Sequence, residues 1–170
     1  MKRIVIILIV AMLIAAPAFA AAQKIGCVDL LEVMDSSTEG VKAKAEVKAL
    51  ADKYGAEYKA KGEAFEKKRD AFTQQAPLLA DDARGAKEAE LQREYIELQQ
   101  YRAAADNEIQ KLRNQHSQRI LGEMRELLQK LGKDNGYTMI IEVNEGAVFY
   151  YEESIDLTAQ LLKAYDASKK

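Results

Sequence analysis

Val47-Lys48-Ala49-Leu50-Ala51-Asp52-Lys53-Tyr54-Gly55-Ala56-Glu57-Tyr58 places its apolar and aromatic side chains at positions 47, 50, 54 and 58. Steps of three and four are the repeat of a helix that hides one face. The stripe continues through Lys61, Phe65, Arg69 and Phe72. Upstream, Ser36-Ser37-Thr38-Glu39 contains S-x-x-E, whose side chains satisfy the first free N–H groups of a helix. Downstream, Pro77 disfavours helical backbone in its predecessor, so this helix is predicted from about Ser37 to Gln75.

Gln75-Ala76-Pro77-Leu78-Leu79-Ala80 then reads as a turn, with Asp81 or Asp82 capping a return helix. The return stripe is Leu91, Tyr95, Leu98, Arg102, Ala105, Ile109, Leu112 and His116, a heptad seam in which Arg102 and His116 occupy places that usually take apolar residues. Two steps of four to Ile120 and Met124 mark a stutter, and Leu127 and Leu131 lead to terminating Gly132 and Gly136. Between Val41 and Gly132, Ala, Glu, Lys, Leu and Arg supply 55 of 92 residues and Val, Ile and Thr only six. At 1.5 Å per residue the two helices would run ~58 Å and ~75 Å, an arm far longer than a small domain is wide.

The flanks have a different character. Lys24 to Leu31 reads as a strand around Ile25-Gly26-Cys27-Val28, and Tyr137 to Val143 is β-branched and apolar. Asn144-Glu145-Gly146 and Val148 to Tyr151 complete a predicted hairpin. Asp156 is predicted to cap a closing helix with Leu157, Leu161 and Tyr165 on one stripe. The predicted fold class is therefore α+β. A small β-rich oligomerisation base, residues 21–36 and 133–170, carries a long antiparallel coiled-coil hairpin arm over 37–132. The base has only ~50 residues, near the lower limit for an independent core, and its sheet has open edges. Association through the base would answer both problems. Ile25, Val28, Ile140, Ile141, Val143, Val148, Tyr150, Leu157 and Leu161 are the candidate core of base and oligomer.

At the N-terminus, Lys2 and Arg3 precede an apolar run from Ile4 to Ala16, then Pro17 and the small residues of Ala18-Phe19-Ala20. This is the pattern of a cleaved secretory signal peptide over 1–20, and the run is short of the ~20 residues that span a bilayer. Loss of Lys2 and Arg3 leaves 23 basic against 27 acidic residues, a net charge of −4. That balance gives no reason to expect nucleic acid. One cysteine, Cys27, excludes an intrachain disulfide and a cysteine-based zinc site, and one histidine, His116, excludes a two-imidazole metal site. None of G-x-x-x-x-G-K, G-x-G-x-x-G or G-x-S-x-G occurs, so neither an enzyme nor a cofactor is expected.

With its leader, Lys24-Ile25-Gly26-Cys27-Val28-Asp29, the helical hairpin, Tyr137-Thr138-Met139-Ile140-Ile141-Glu142-Val143, Ala147-Val148-Phe149-Tyr150 and Asp156-Leu157-Thr158, the chain resembles the Skp/OmpH family of periplasmic chaperones. That resemblance implies a homotrimer with a β hub, whose three arms enclose a cavity. It implies an ATP-independent holdase in the periplasm that keeps unfolded outer-membrane β-barrel proteins from aggregating. A structural or adaptor coiled-coil protein of the envelope, binding a folded partner, is the alternative.

Tyr54, Tyr58, Phe65, Phe72, Tyr95 and Tyr101 are the candidate client-contacting residues, and they equally suit the filling of the helix–helix seam. Tyr101 lies off the predicted return stripe and is the foremost of them for client contact. Lys59, Lys61, Lys67, Lys68 and Arg69 suit contact with anionic lipid or lipopolysaccharide, or a solvated face paired with Glu63, Glu66 and Asp70. Gly55 and Gly62, seven apart, suit either close packing or a flexible arm.

Overall fold

The computed structural model describes residues 23–144 and 148–169. The predicted signal peptide, and Glu145 and Gly146 of the predicted turn, lie outside them. In chain order the elements are β1 (Ile25–Val28), α1 (Leu30–Ser36), α2 (Thr38–Gln75), α3 (Asp81–Asp134), β2 (Met139–Glu142) and α4 (Thr158–Ser168). One 3-10 turn, Ala76–Leu78, joins α2 to α3, and another, Glu153–Ile155, precedes α4.

Helices α2 and α3 have 38 and 54 residues, or ~57 Å and ~81 Å at 1.5 Å per residue. They pack antiparallel without a register slip. Glu39 meets Arg119 and Glu46 lies against His116 at the root, while Glu57 bonds Tyr101 and Lys68 pairs with Glu94 further out. Helix α2 ends at Gln75 as Pro77 predicts. Helix α3 starts after Ala80, which gives no side-chain cap, so Asp81 and Asp82 stand inside the first turn rather than capping it. They still complement the positive helix end. At its other end α3 runs past Leu131 to Asp134. Gly136 then takes φ +69°, where glycine has no Cβ penalty, and Tyr137 N–H bonds Gly132 O at 2.9 Å.

The base is built around a different pairing from the predicted hairpin. β1 and β2 form a two-stranded parallel sheet, with Ile25 opposite Met139 and Val28 opposite Glu142. Among the described residues, 148–151 form no strand. Beyond β1, the Leu157 N–H bonds Cys27 O at 2.8 Å, and Cys27 makes an isolated bridge to Asp156. At Asp156 and Leu157 the chain thus returns to the free side of β1, and not to the open edge of β2. The closing helix follows, with Asp156 Oδ1 accepting from Thr158 N–H at 2.8 Å. Leu157, Leu161 and Tyr165 are buried along its predicted stripe.

The strand predicted through Leu31 stops at Val28, and α1 takes over. Asp29 caps it by accepting from Glu32 N–H at 2.7 Å. Ser37 joins α1 to α2. Its N–H closes α1 on Val33 O at 2.9 Å, and its hydroxyl caps α2 by accepting from Gly40 N–H at 3.1 Å. The cap is therefore Ser37, not Ser36. A Cβ on Gly40 would fall 1.6 Å from Met34 O, so only glycine admits this close crossing. Val28, Leu30, Val33, Ala43, Ile120, Met124, Leu161 and Tyr165 form one buried cluster where all four helices and the sheet converge. The stutter residues Ile120 and Met124 lie in it, so the phase shift falls where α3 leaves the arm and enters the base.

Candidate functional site

A two-helix seam is too narrow to enclose aromatic rings, and the arm shows the consequence. Tyr54, Tyr58, Phe65, Phe72 and Tyr101 are half-buried and Tyr95 is 47% exposed. The rings form a ladder across the seam. Tyr54 meets Tyr101 edge-on with centroids 6.1 Å apart, and Phe65 meets Tyr95 at 6.0 Å. Arg102 lies over Tyr58 at 5.9 Å and Lys61 over Tyr101 at 5.1 Å. Phe72 sits nearest the tip, beside Leu91 and Lys68.

The return face departs from the predicted stripe at two places. Glu94 and Tyr101 are half-buried in the seam, whereas Tyr95 and Arg102 are exposed. Tyr101 therefore points across the hairpin and not away from it. Its hydroxyl donates to Glu57 at 2.5 Å, and this bond, with desolvation and the Glu57 charge, raises the phenol pKa to about 12. On α2, Lys61 and Arg69 are exposed while Gly62 takes the half-buried place. A Cβ on Gly55 or Gly62 would meet nothing within 4 Å among the described residues, so close packing against them does not explain either glycine.

The basic cluster is interleaved with acids. Lys59 lies 4.0 Å from Glu63, Lys68 pairs with Glu94 across the seam, and Arg69 pairs with Glu66 and lies 3.5 Å from Asp70. Lys67 is exposed with no acidic partner among the described residues. Lys61, Phe65, Lys68, Glu94, Leu98 and Tyr101 line a groove of about 360 Å³. Aromatic walls under mobile charges of both signs make a surface that can touch apolar chain without a fixed binding geometry.

The root of the arm is held by ionic contacts. Tyr165, wholly buried, donates from its hydroxyl to Glu123 at 2.6 Å, and Lys169 reaches the same carboxylate at 2.8 Å. Arg119 bridges Glu123 at 3.4 Å and Glu39 at 3.2 Å. Burial works against ionisation of Glu123. The bonds from Lys169 and Tyr165, with the Lys169 and Arg119 charges, outweigh it and hold the carboxyl below the ordinary glutamate range. Burial first, and the bond to Glu123 second, push the Tyr165 phenol above its usual value.

Of the base candidates, Val28, Leu157 and Leu161 are buried, and Ile140, Ile141, Val143 and Val148 are half-buried. Ile25 and Tyr150 are exposed, Tyr150 by 78%. Met139 and Phe149, which the sequence reading did not single out, are exposed by 56% and 98%. No third strand pairs with β2 among the described residues. The base thus shows a set of apolar side chains that the described residues leave uncovered.

A family model described as outer membrane protein (OmpH-like) matches residues 24–165, which takes in the base, the whole arm and most of α4. The chain belongs to the OmpH-like family. A solved OmpH-like structure from Caulobacter crescentus CB15, described as that of an outer membrane chaperone, shares the fold with a TM-score of 0.77. It is 19% identical, and the match covers 87% of this chain and 86% of that one. No curated protein matches. The OmpH-like fold is thus kept while most side chains change, as expected where helix spacing and a small shared core carry the architecture. No helix among the described residues is long and apolar enough to cross a membrane.

Proposed function

We propose that the chain is an ATP-independent periplasmic holdase that receives unfolded outer-membrane β-barrel proteins between helical arms and keeps them from aggregating. In this reading residues 1–20 are a cleaved signal peptide. Residues 21–36 and 133–170 form a trimerisation base, and residues 37–132 form the arm. The observation that carries it is the ladder of half-exposed aromatic rings along a ~57 Å hairpin that cannot bury them itself. An unfolded barrel protein presents apolar side chains at every second residue and unpaired strand edges. Many weak apolar contacts among mobile charges cover such a chain and still release it, and binding that needs no nucleotide is ordinary linkage. Family membership and the description of the Caulobacter relative support the chaperone class. Exposed Ile25, Met139, Phe149 and Tyr150 supply apolar surface for three bases to share. The paired basic cluster serves chiefly as a solvated face, with lipid or lipopolysaccharide contact secondary.

The test is mass by light scattering on a sizing column, using the chain from Ala21. It is run alone and after dilution of a urea-unfolded barrel protein into it. The expected result is a mass of three protomers that becomes a soluble complex with client, while client alone aggregates. Phe65→Ser with Tyr95→Ser should keep the trimer and hold client less well. A trimer that ignores client would point instead to an envelope adaptor with a folded partner, and a monomer would overturn the shared base.

A further inference from the structure

A cleft opens where arm and base meet. The end of α1, the first turns of α2 and the middle of α3 leave a space of about 420 Å³. Val47 and Ala51 line it with half-buried apolar surface above the buried Ile120, and Lys44, Lys48 and Arg113 stand around it. Among the described residues one carboxylate, Asp35, shares the lining, and Glu46 stands 3.0 Å from His116, which also lines it, in a chain that is acidic overall. Lys44 pairs with Asp35 at 2.9 Å and Lys48 with Asp52 at 2.5 Å, each pair with both side chains more than half exposed. Exposed pairs of this kind exchange readily for another carboxylate. Arg113 has no acidic partner among the described residues, and its guanidinium meets only Gln110, at 3.4 Å. An apolar cleft beside an unpaired guanidinium and two exchangeable ammonium groups is complementary to an apolar group with an anion next to it.

We propose that this cleft anchors an extended client segment in which an apolar side chain is followed directly by an acidic residue. The apolar side chain rests on Val47 and Ala51. The carboxylate lies on Arg113, with Lys44 and Lys48 within reach of it. This inference rests on the client-holding function and adds to it a defined anchor at the arm root, apart from the diffuse aromatic face further out.

The probes are three fluorescein-labelled hexapeptides of glycine and serine carrying one central Leu-Asp, Leu-Asn or Ser-Asp step. Anisotropy is read with the full mature protein at low salt. Leu-Asp should bind about fivefold more tightly than either control. Arg113→Gln, at an exposed position, should remove the advantage over Leu-Asn, and Ala51→Leu should weaken both leucine peptides by filling the cleft. Equal binding of Leu-Asp and Leu-Asn, or an advantage that survives Arg113→Gln, overturns the proposal. Tighter binding of decanoate than of Leu-Asp reassigns the cleft to acyl anions and overturns it too. Barrel holding is measured on the same proteins. Holding without the peptide preference defeats the cleft alone, whereas a wild-type chain that holds no barrel defeats the underlying function.

Discussion

Replacing Gly55 and Gly62 by alanine should stabilise the protein. Both lie in the interior of α2, where glycine costs ~1 kcal/mol relative to alanine because the unfolded chain has more freedom to lose. That gain is realised only if the new methyl group fits. At both positions a Cβ meets nothing within 4 Å, so no steric term opposes it. Seven residues separate the two sites by ~10 Å along the helix, far enough for their effects to add to ~2 kcal/mol. For a chain of this size that corresponds to a rise in Tm of about 4–8 °C. The assay is urea and thermal unfolding of the chain from Ala21, followed by circular dichroism at one fixed protein concentration, since any assembly would add to apparent stability. The denaturant slope should stay unchanged while the midpoint moves up. An unchanged or lowered midpoint would refute the reasoning. It would mean that the space beside these glycines is filled by another copy of the chain, and that the glycines are there for contact and not for give.

Other outcomes follow from the root and the crossing. Gly40→Ala should cost more than about 3 kcal/mol, because its Cβ would overlap the Met34 carbonyl, and loss of cooperative melting would report it. Tyr165→Phe should cost ~1.5 kcal/mol by removing a buried hydroxyl bonded to a carboxylate, read as a shifted urea midpoint. The lowered pKa of Glu123 means that its contribution is present above the unfolded value of 4.5 and is lost as pH falls through the lower folded value. Glu123→Gln should therefore flatten the decline in stability below about pH 4.5 in an acid titration.

The arm was legible because its signals are local and repeated. Pro77 set the end of α2, and steps of three and four from Val47 to Phe72 set its face, except at Lys61 and Arg69, which are exposed. On α3 the same reasoning chose Tyr95 and Arg102 over Glu94 and Tyr101, since steps of three and four are equally helical. What decided the matter lies on the other helix, where Lys68 and Glu57 await Glu94 and Tyr101. The base was less legible because its pairing is non-local. Val148 to Tyr151 has strand composition, yet β1 takes β2 on one side and Asp156 with Leu157 on the other. The seven-residue α1 hid behind the apolar run before it, although Asp29 and Glu32, three apart, carry the spacing of a helix start. The small cleft at the root has no signature at all in sequence, being assembled from three helices.

The parallel pairing of β1 with β2 also sets a timetable. The bond from Lys24 N–H to the Thr138 hydroxyl closes 114 positions of chain, and nearly everything between, after β1, belongs to α1 and the hairpin. A polypeptide emerging amino end first must therefore leave its opening strand waiting until nearly all the rest has appeared. The hairpin needs only neighbours already present, and local contacts form fastest. Arm helices should thus gain amide protection before strand 25–28 does in pulse-labelled hydrogen exchange, and simultaneous protection would contradict this order. Until its strand partner arrives, a newborn copy carries its aromatic face ahead of its base, and is itself a chain in need of holding.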